Sequence, residues 1–292
     1  MPKLEIHYSN VITSVERHEY LQKNFAECAF KPHWRLNRFI AFDVNNPAVQ
    51  AMPGELGPGG KGCYLSVLEI LKRSVDDDCH TMVMDDDIEF CPRTQEVVDK
   101  ILDGLPDDGW DLLLTDTIIP NAIDMPRFLY ERRVYEKTGE FRLLGLPPTP
   151  YRTMAGSTIF NKHSRRKVID MMTTTDISQP WDIKLRGFVD NKLLRAFLIF
   201  PFVTAPSHLA DQSTLKAVDE ENYLSGFRIS SLQHRLHNDF MRMMWIGRQD
   251  ETYFANHPLQ DFGDWSSLKR PDVERLISIM EPLMGVMMGY PI

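Results

Sequence analysis

The apolar run Thr81-Met82-Val83-Met84 leads directly into Asp85-Asp86-Asp87, after which Ile88 and Phe90 bracket Glu89. An apolar run this short, ended by charge, suits a buried strand that carries its acids to a sheet edge, where loops meet water and ligands. Like charges packed side by side repel one another unless something positive neutralises them. Hard carboxylate oxygens favour Mg²⁺ or Mn²⁺ in that role, so the triplet is expected to form a metal and substrate-phosphate site. The chain carries its own control in Asp76-Asp77-Asp78, which follows the polar Lys72-Arg73-Ser74. With no apolar strand in front of it, that second triplet reads as a solvated loop.

Strand-like and helix-like segments alternate through the first half. Leu4-Glu5-Ile6-His7-Tyr8 alternates as a first strand, and Ser14 reads as a cap for a helix over Val15 to Phe30. A second strand is expected over Trp34 to Phe42, ending at Asp43 before the Asn45-Asn46-Pro47 turn. Gly54 to Gly62 reads as a loop, and Cys63 to Arg73 as a helix with Leu65, Leu68, Ile70 and Leu71 inward. The acid-tipped strand follows, then a helix over Thr94 to Leu105 and a strand over Trp110 to Thr115. This order predicts an α/β fold with a central sheet flanked by helices. Past Ile119 the pattern loosens, and Pro147-Pro148-Thr149-Pro150 interrupts the chain. A strand over Thr153 to Phe160 and a helix over Lys162 to Met172 come next, whereas Val189 to Phe202 mixes both signals. Leu232 to Trp245 and Val273 to Met284 read as helices, so residues 226–292 are expected to form a helical extension on a catalytic domain of 1–225. Their methionines suit core or an oligomer interface.

Composition narrows the function. A net charge of −8 with no dense Lys/Arg block argues against a nucleic-acid partner. The amino terminus is charged from Lys3 and Glu5 onward, and the apolar stretch Ala196 to Ala205 contains Pro201. It falls short of the ~20 residues a membrane helix needs, so no transmembrane segment is expected. Four cysteines with no CxxC pair suggest free thiols in a reducing, cytoplasmic setting. Lys61, in Gly57-Pro58-Gly59-Gly60-Lys61-Gly62 ahead of a helix, is a candidate phosphate contact. No Ser or Thr follows it, so this is not a Walker A loop.

Taken in order, several elements resemble glycosyltransferase family 25, the lipopolysaccharide-biosynthesis type with a GT-A fold. They are Tyr8-Ser9-Asn10 with Arg17, Arg38-Phe39-Ile40-Ala41-Phe42-Asp43, Gly62-Cys63-Tyr64-Leu65-Ser66, and the strand ending in Asp85-Asp86-Asp87. Ala155-Gly156-Ser157-Thr158-Ile159-Phe160, Trp181-Asp182 and Asp211-Gln212-Ser213-Thr214 continue the series, while Val67 stands where that family carries His. The resemblance implies a metal-dependent transfer of sugar from a nucleotide-sugar, UDP-linked by preference, to a glycan acceptor hydroxyl in surface-polysaccharide synthesis. It implies donor contacts from Tyr8, Asn10, Arg17, Ser66, Asp85 and Asp86, to which Lys61 is added from its own loop, a Gly-Pro-Gly-Gly stretch that departs from the family. Asp85 and Asp87, in Asp-x-Asp spacing, would hold Mn²⁺ or Mg²⁺ with His208 as a distant third ligand. An inverting transfer needs a base; Asp182, beside a Trp181 suited to stacking on a sugar, is the candidate, with Asp116 and Asp190 as competitors. Two other classes share these acids: a Mg²⁺-dependent phosphohydrolase, which would release phosphate without a sugar acceptor, and a non-catalytic glycan-binding relative.

Overall fold

Leu4, Ile6, Tyr8 and Asn10 share the buried face of the first strand, β1 (Leu4–Asn10), as its alternation requires. The computed structural model describes residues 3–118, 125–146, 156–174, 177–211 and 231–247. Helix α1 (Val15–Glu27) and strand β2 (Leu36–Ile40) follow, then the short α2 (Pro47–Ala51) and α3 (Pro58–Arg73). The acid-tipped strand is β3 (His80–Asp85), succeeded by β4 (Ile88–Phe90), α4 (Thr94–Gly104) and β5 (Leu112–Leu114). Next come α5 (Met125–Thr138), β6 (Arg142–Gly145), β7 (Ser157–Phe160), α6 (Arg165–Thr174) and α7 (Trp181–Asp190). Strands β8 (Ala196–Phe200) and β9 (Thr204–Pro206), a 3₁₀ turn over His208–Asp211, and α8 (Ser231–Met244) complete the described chain.

Seven strands form one mixed sheet in the order β2-β1-β3-β7-β5-β8-β6. β2, β1, β3, β5 and β8 run one way, and β7 and β6 run the other. β3 is buried from His80 to Met84 because both of its faces are covered. Val83 packs into a cluster with α3, α6, α7 and α8, while Met82 and Met84 pack into a second cluster with α1 and α4. The result is helices on both faces of a sheet, the α/β architecture expected from the alternation. Met241 and Met244 of α8 are buried in the first of these clusters, so they serve as core within this chain. No helix among the described residues is long and apolar enough to cross a membrane.

The differences from the sequence reading have local causes. Gly54 to Gly62 was expected as loop, yet α3 begins at Pro58, a proline in the first helical turn. Its glycines are helical because close packing outweighs propensity. A Cβ on Gly62 would lie 2.3 Å from the Phe42 carbonyl oxygen, so α3 can sit against the end of β2 only with glycine there. Helix α5 escaped notice because its single buried side chain among those described, Phe128, makes no apolar stripe. The undivided 189–202 region separates into the last turn of α7 and strand β8. The helix expected over Val273 to Met284 and the Ser213-Thr214 element lie outside the described residues.

Gly62→Ala should destabilise the fold by about 1–3 kcal/mol in urea denaturation, since the clash is with backbone rather than a yielding side chain. His80, buried against Trp110, accepts the Lys162 N–H at Nδ1, which fixes the neutral ring; burial pushes its pKa down to about 4. Between its ordinary 6.5 and that value the unfolded chain binds a proton that the native state refuses, so stability falls as pH falls through this window. At about 1.4 kcal/mol per pKa unit, wild type should lose about 3 kcal/mol more than His80→Asn between pH 7 and pH 4.

Candidate active site at the carboxylate edge

β1, β3 and β5 end at the same sheet edge, and the antiparallel β7 begins there. This polarity brings Asn10, Asp85, Asp116 and Gly156 to one place. The Asp85 N–H donates to the Gly156 carbonyl at 2.9 Å. A second, two-stranded sheet pairs β4 with β9, Ile88 opposite Pro206 and Phe90 opposite Thr204. It continues into a bond from the Ser207 N–H to the Asp87 carbonyl at 2.7 Å. The triplet is thereby held by backbone pairing on both sides.

Charge is balanced unevenly within it. The Arg17 guanidinium lies 3.0 Å from Asp86 Oδ1 and 2.8 Å from Asp87 Oδ2, and it donates to the Leu209 carbonyl at 3.1 Å. Asp86 is buried and also accepts from Asn10 Nδ2; Asn10 Oδ1 in turn accepts from Arg38. Burial raises the Asp85 carboxyl well above its usual range, and the charges of Asp87, Asp86, Asp182 and Asp116 add to the rise. Burial lifts Asp87 as well, with Arg17 opposing. Asp116 is fully buried and stands at about 7, raised by burial against hydrogen bonds from Thr204 and Gly156. The Cys63 thiol, beside Trp181, is pushed well up by burial and by the charges of Asp85 and Asp182. An unreactive thiol follows.

Asp85, Asp86, Asp87 and Arg17 are therefore brought together, with Asn10 beside Asp86, and Asp182, in the first turn of α7, is near enough for its charge to bear on Asp85. Four expectations need correction. Tyr8 and Ser66 are both fully buried, so neither meets a donor. The Tyr8 hydroxyl bonds His18 Nδ1 at 2.6 Å and Gln22 Nε2 at 2.9 Å, locking α1 onto β1. Ser66 Oγ accepts the Phe42 N–H at 3.0 Å and donates to the Gly62 carbonyl at 2.7 Å, fastening α3 beside β2. Asn10, buried with both ends of its amide engaged, reaches the site only through Asp86. Trp181 is buried in the core, so its indole is no platform for a sugar.

The other candidates are placed as follows. Lys61 stands half-exposed in the first turn of α3. His208 is exposed, edge-on to Tyr20 at 4.8 Å, and Tyr20 donates to Glu89 at 2.7 Å. Among the described residues no three His, Cys, Asp or Glu side chains are pre-gathered as a metal ligand set, Asp87 being paired with Arg17. Of the competitors for the base, Asp190 pairs with Arg186 at 2.9 Å and Asp116 has no exposed surface. The control triplet Asp76 to Asp78 is exposed, as expected. Sequence reasoning missed Thr204 and Arg242, and named Gly156 only as part of the Ala155 to Phe160 element, without a role. Arg242 holds the Pro206 carbonyl at 2.9 Å, the Ser207 carbonyl, and Asp211 at 3.0 Å. A lone glycine heading an apolar strand was the signal available for Gly156: a Cβ there would meet Ile88 Cδ1 at 2.6 Å.

No family model matches the chain, and no curated protein matches it. Among solved structures it is similar to the apo form of mouse xyloside xylosyltransferase 1, at 13% identity and TM-score 0.33 over 65% of this chain and 70% of that one. It is also similar to the apo form of the glycosyltransferase GlyE of Streptococcus pneumoniae TIGR4, at 11% identity and TM-score 0.33 over 67% of this chain and 45% of that one. A second GlyE structure gives 10% identity and TM-score 0.34 over 88% of this chain and 63% of the other. Scores at this level assign no function.

The charge balance yields a prediction. Arg17→Met leaves Asp86 and Asp87 without their counter-charge in a site of low exposure, and should cost about 3 kcal/mol in urea denaturation at neutral pH. An unchanged midpoint would show that the ion pair is dispensable to the fold.

Proposed function

We propose that the chain is a GT-A-like glycosyltransferase, metal-dependent and inverting, that moves a sugar from a UDP-sugar to a glycan acceptor hydroxyl. We place its work in the cytoplasmic stage of surface-polysaccharide synthesis. The observation that carries this reading is Asp85 and Asp87 together where β3 ends, with Asp182, in the first turn of α7, near enough for its charge to add to the rise at Asp85. The order of sequence elements resembling glycosyltransferase family 25 supports it.

Asp85 and Asp87 offer two donors that suit a divalent cation, and a third ligand would have to be brought to them, since none is gathered there among the described residues. Their donors are hard carboxylate oxygens, and burial together with the neighbouring acids disfavours the Asp85 anion, a cost that a bound cation would offset. Asp85 and Asp87 would hold Mn²⁺ or Mg²⁺, with His208 as the third ligand. When bound, the cation supplies positive charge to the departing diphosphate. Arg17, paired within the triplet, and Lys61, at the start of α3, supply positive charge to the field that a diphosphate would enter. Asn10 and Arg17 fix Asp86, which keeps the triplet from rearranging as ligands arrive. Asp182, in the first turn of α7, takes the proton of the acceptor hydroxyl as that oxygen attacks the sugar.

Thermal shift with UDP-, GDP- and CMP-sugars, with and without Mn²⁺, tests the reading. One nucleotide should stabilise the protein only in the presence of metal, by about 3 kcal/mol at a hundredfold excess over its Kd. Asp87→Asn should abolish that stabilisation. Asp182→Asn should keep it while transfer to acceptor falls by roughly 10²-fold or more. Indifference to every nucleotide would sink the proposal, and phosphate release without an acceptor would favour a phosphohydrolase.

A further inference from the structure

We propose that Asp116 is a positioning residue that sets the backbone of the acid triplet from both ends, through Gly156 on one side and Thr204 on the other. Its carboxyl oxygens are divided between two partners. Oδ1 accepts the Gly156 N–H at 2.9 Å, and Oδ2 accepts the Thr204 hydroxyl at 2.6 Å. Each partner belongs to an element that holds one end of the triplet. The Gly156 carbonyl accepts the Asp85 N–H at 2.9 Å, one step before β7 pairs Ser157 with Met84. Thr204 opens β9, which pairs with β4, and Ser207, the residue after β9, donates its N–H to the Asp87 carbonyl at 2.7 Å.

Asp116 thus acts on Asp85 through one residue, Gly156, and on Asp87 through the strand segment from Thr204 to Ser207, and its zero exposure excludes direct contact with a substrate. A buried carboxyl is a costly way to fill space, because its desolvation must be offset by hydrogen bonds. What a carboxyl adds over an apolar side chain is two diverging acceptors on one rigid plane, which is what joining β7 to β9 requires. Thr115 reinforces the same junction: its hydroxyl lies 2.8 Å from that of Thr204. Burial raises the Asp116 carboxyl to about 7, in keeping with a group held for its geometry. The arrangement stands on hydrogen bonds alone; its consequence for ligands rests on the metal-dependent reading above.

Amide hydrogen exchange tests it on the whole chain without any ligand. In Asp116→Ala the amides of Asp85 and Ser207 should exchange at least about tenfold faster, while that of Ile6, on the far side of β1, keeps its wild-type rate. Asp116→Asn should restore both, since its carboxamide can accept from Gly156 and donate to Thr204. Wild-type protection at Asp85 and Ser207 in a folded Asp116→Ala overturns the proposal. Should that variant fail to fold, Thr204→Val removes one arm only. Faster exchange at Ser207 with Asp85 unaffected supports the proposal, and no change at Ser207 overturns it. Mn²⁺ titration by water-proton relaxation then reads the consequence: a tenfold weaker Kd in Asp116→Ala, recovered in Asp116→Asn. Faster exchange with an unchanged Mn²⁺ Kd would reduce Asp116 to a structural role and overturn its positioning one. A wild type that binds no Mn²⁺ would count against the metal-dependent function, while the exchange data would still decide the role of Asp116.

Discussion

The Arg17 guanidinium is the counter-charge on which the carboxylate edge depends. Three consecutive acids cannot be packed against a sheet as anions unless their field is offset. Arg17 offsets two of them at 3.0 and 2.8 Å, and its remaining reach goes to the Leu209 carbonyl. A lysine could supply the charge but not the fork that spans two carboxylates and a carbonyl together. The position of Arg17 is itself secured by α1, which Tyr8 ties to the first strand through His18 and Gln22. Charge balance at the edge is therefore an outcome of how one helix sits on one strand.

Sheet polarity does the second part of the work. Had β7 run parallel to β3, its amino-terminal end would lie at the opposite edge and Gly156 would be far from Asp85. Running antiparallel between β3 and β5, it delivers a glycine backbone beside the acids. The missing side chain admits Ile88, and with it the start of β4, to the same spot. Two small facts, a strand reversal and an absent Cβ, make room for the corner to close.

The acid tip of β3 was legible because an apolar run bounded by charge has few other uses, and the exposed Asp76 to Asp78 confirms that the run, not the acids, carries the signal. The α/β class followed from alternation in the first half. The sequence also held information that was passed over. Tyr8 and Asn10 share parity with Leu4 and Ile6, and Ser66 lies one helical turn from Gly62, so their burial follows from period alone. Other features were out of reach. β4 and β9 contribute three residues each, too few for a period to register, and they meet only through the tertiary fold. The helical glycines of α3 depend on a carbonyl of Phe42 that no local pattern announces.

The β4–β9 pairing joins segments far apart in the chain, as does the Asp116–Thr204 bond, which spans 88 residues. A polypeptide emerging from the ribosome presents its acid triplet long before Thr204 to Ser207 have been made. Until then those carboxylates are hydrated and their backbone lacks one of its two supports. The carboxylate corner therefore cannot close before residue 207 has been made, and a nascent chain stopped short of it would carry every acid of the triplet without the strand that supports Asp87.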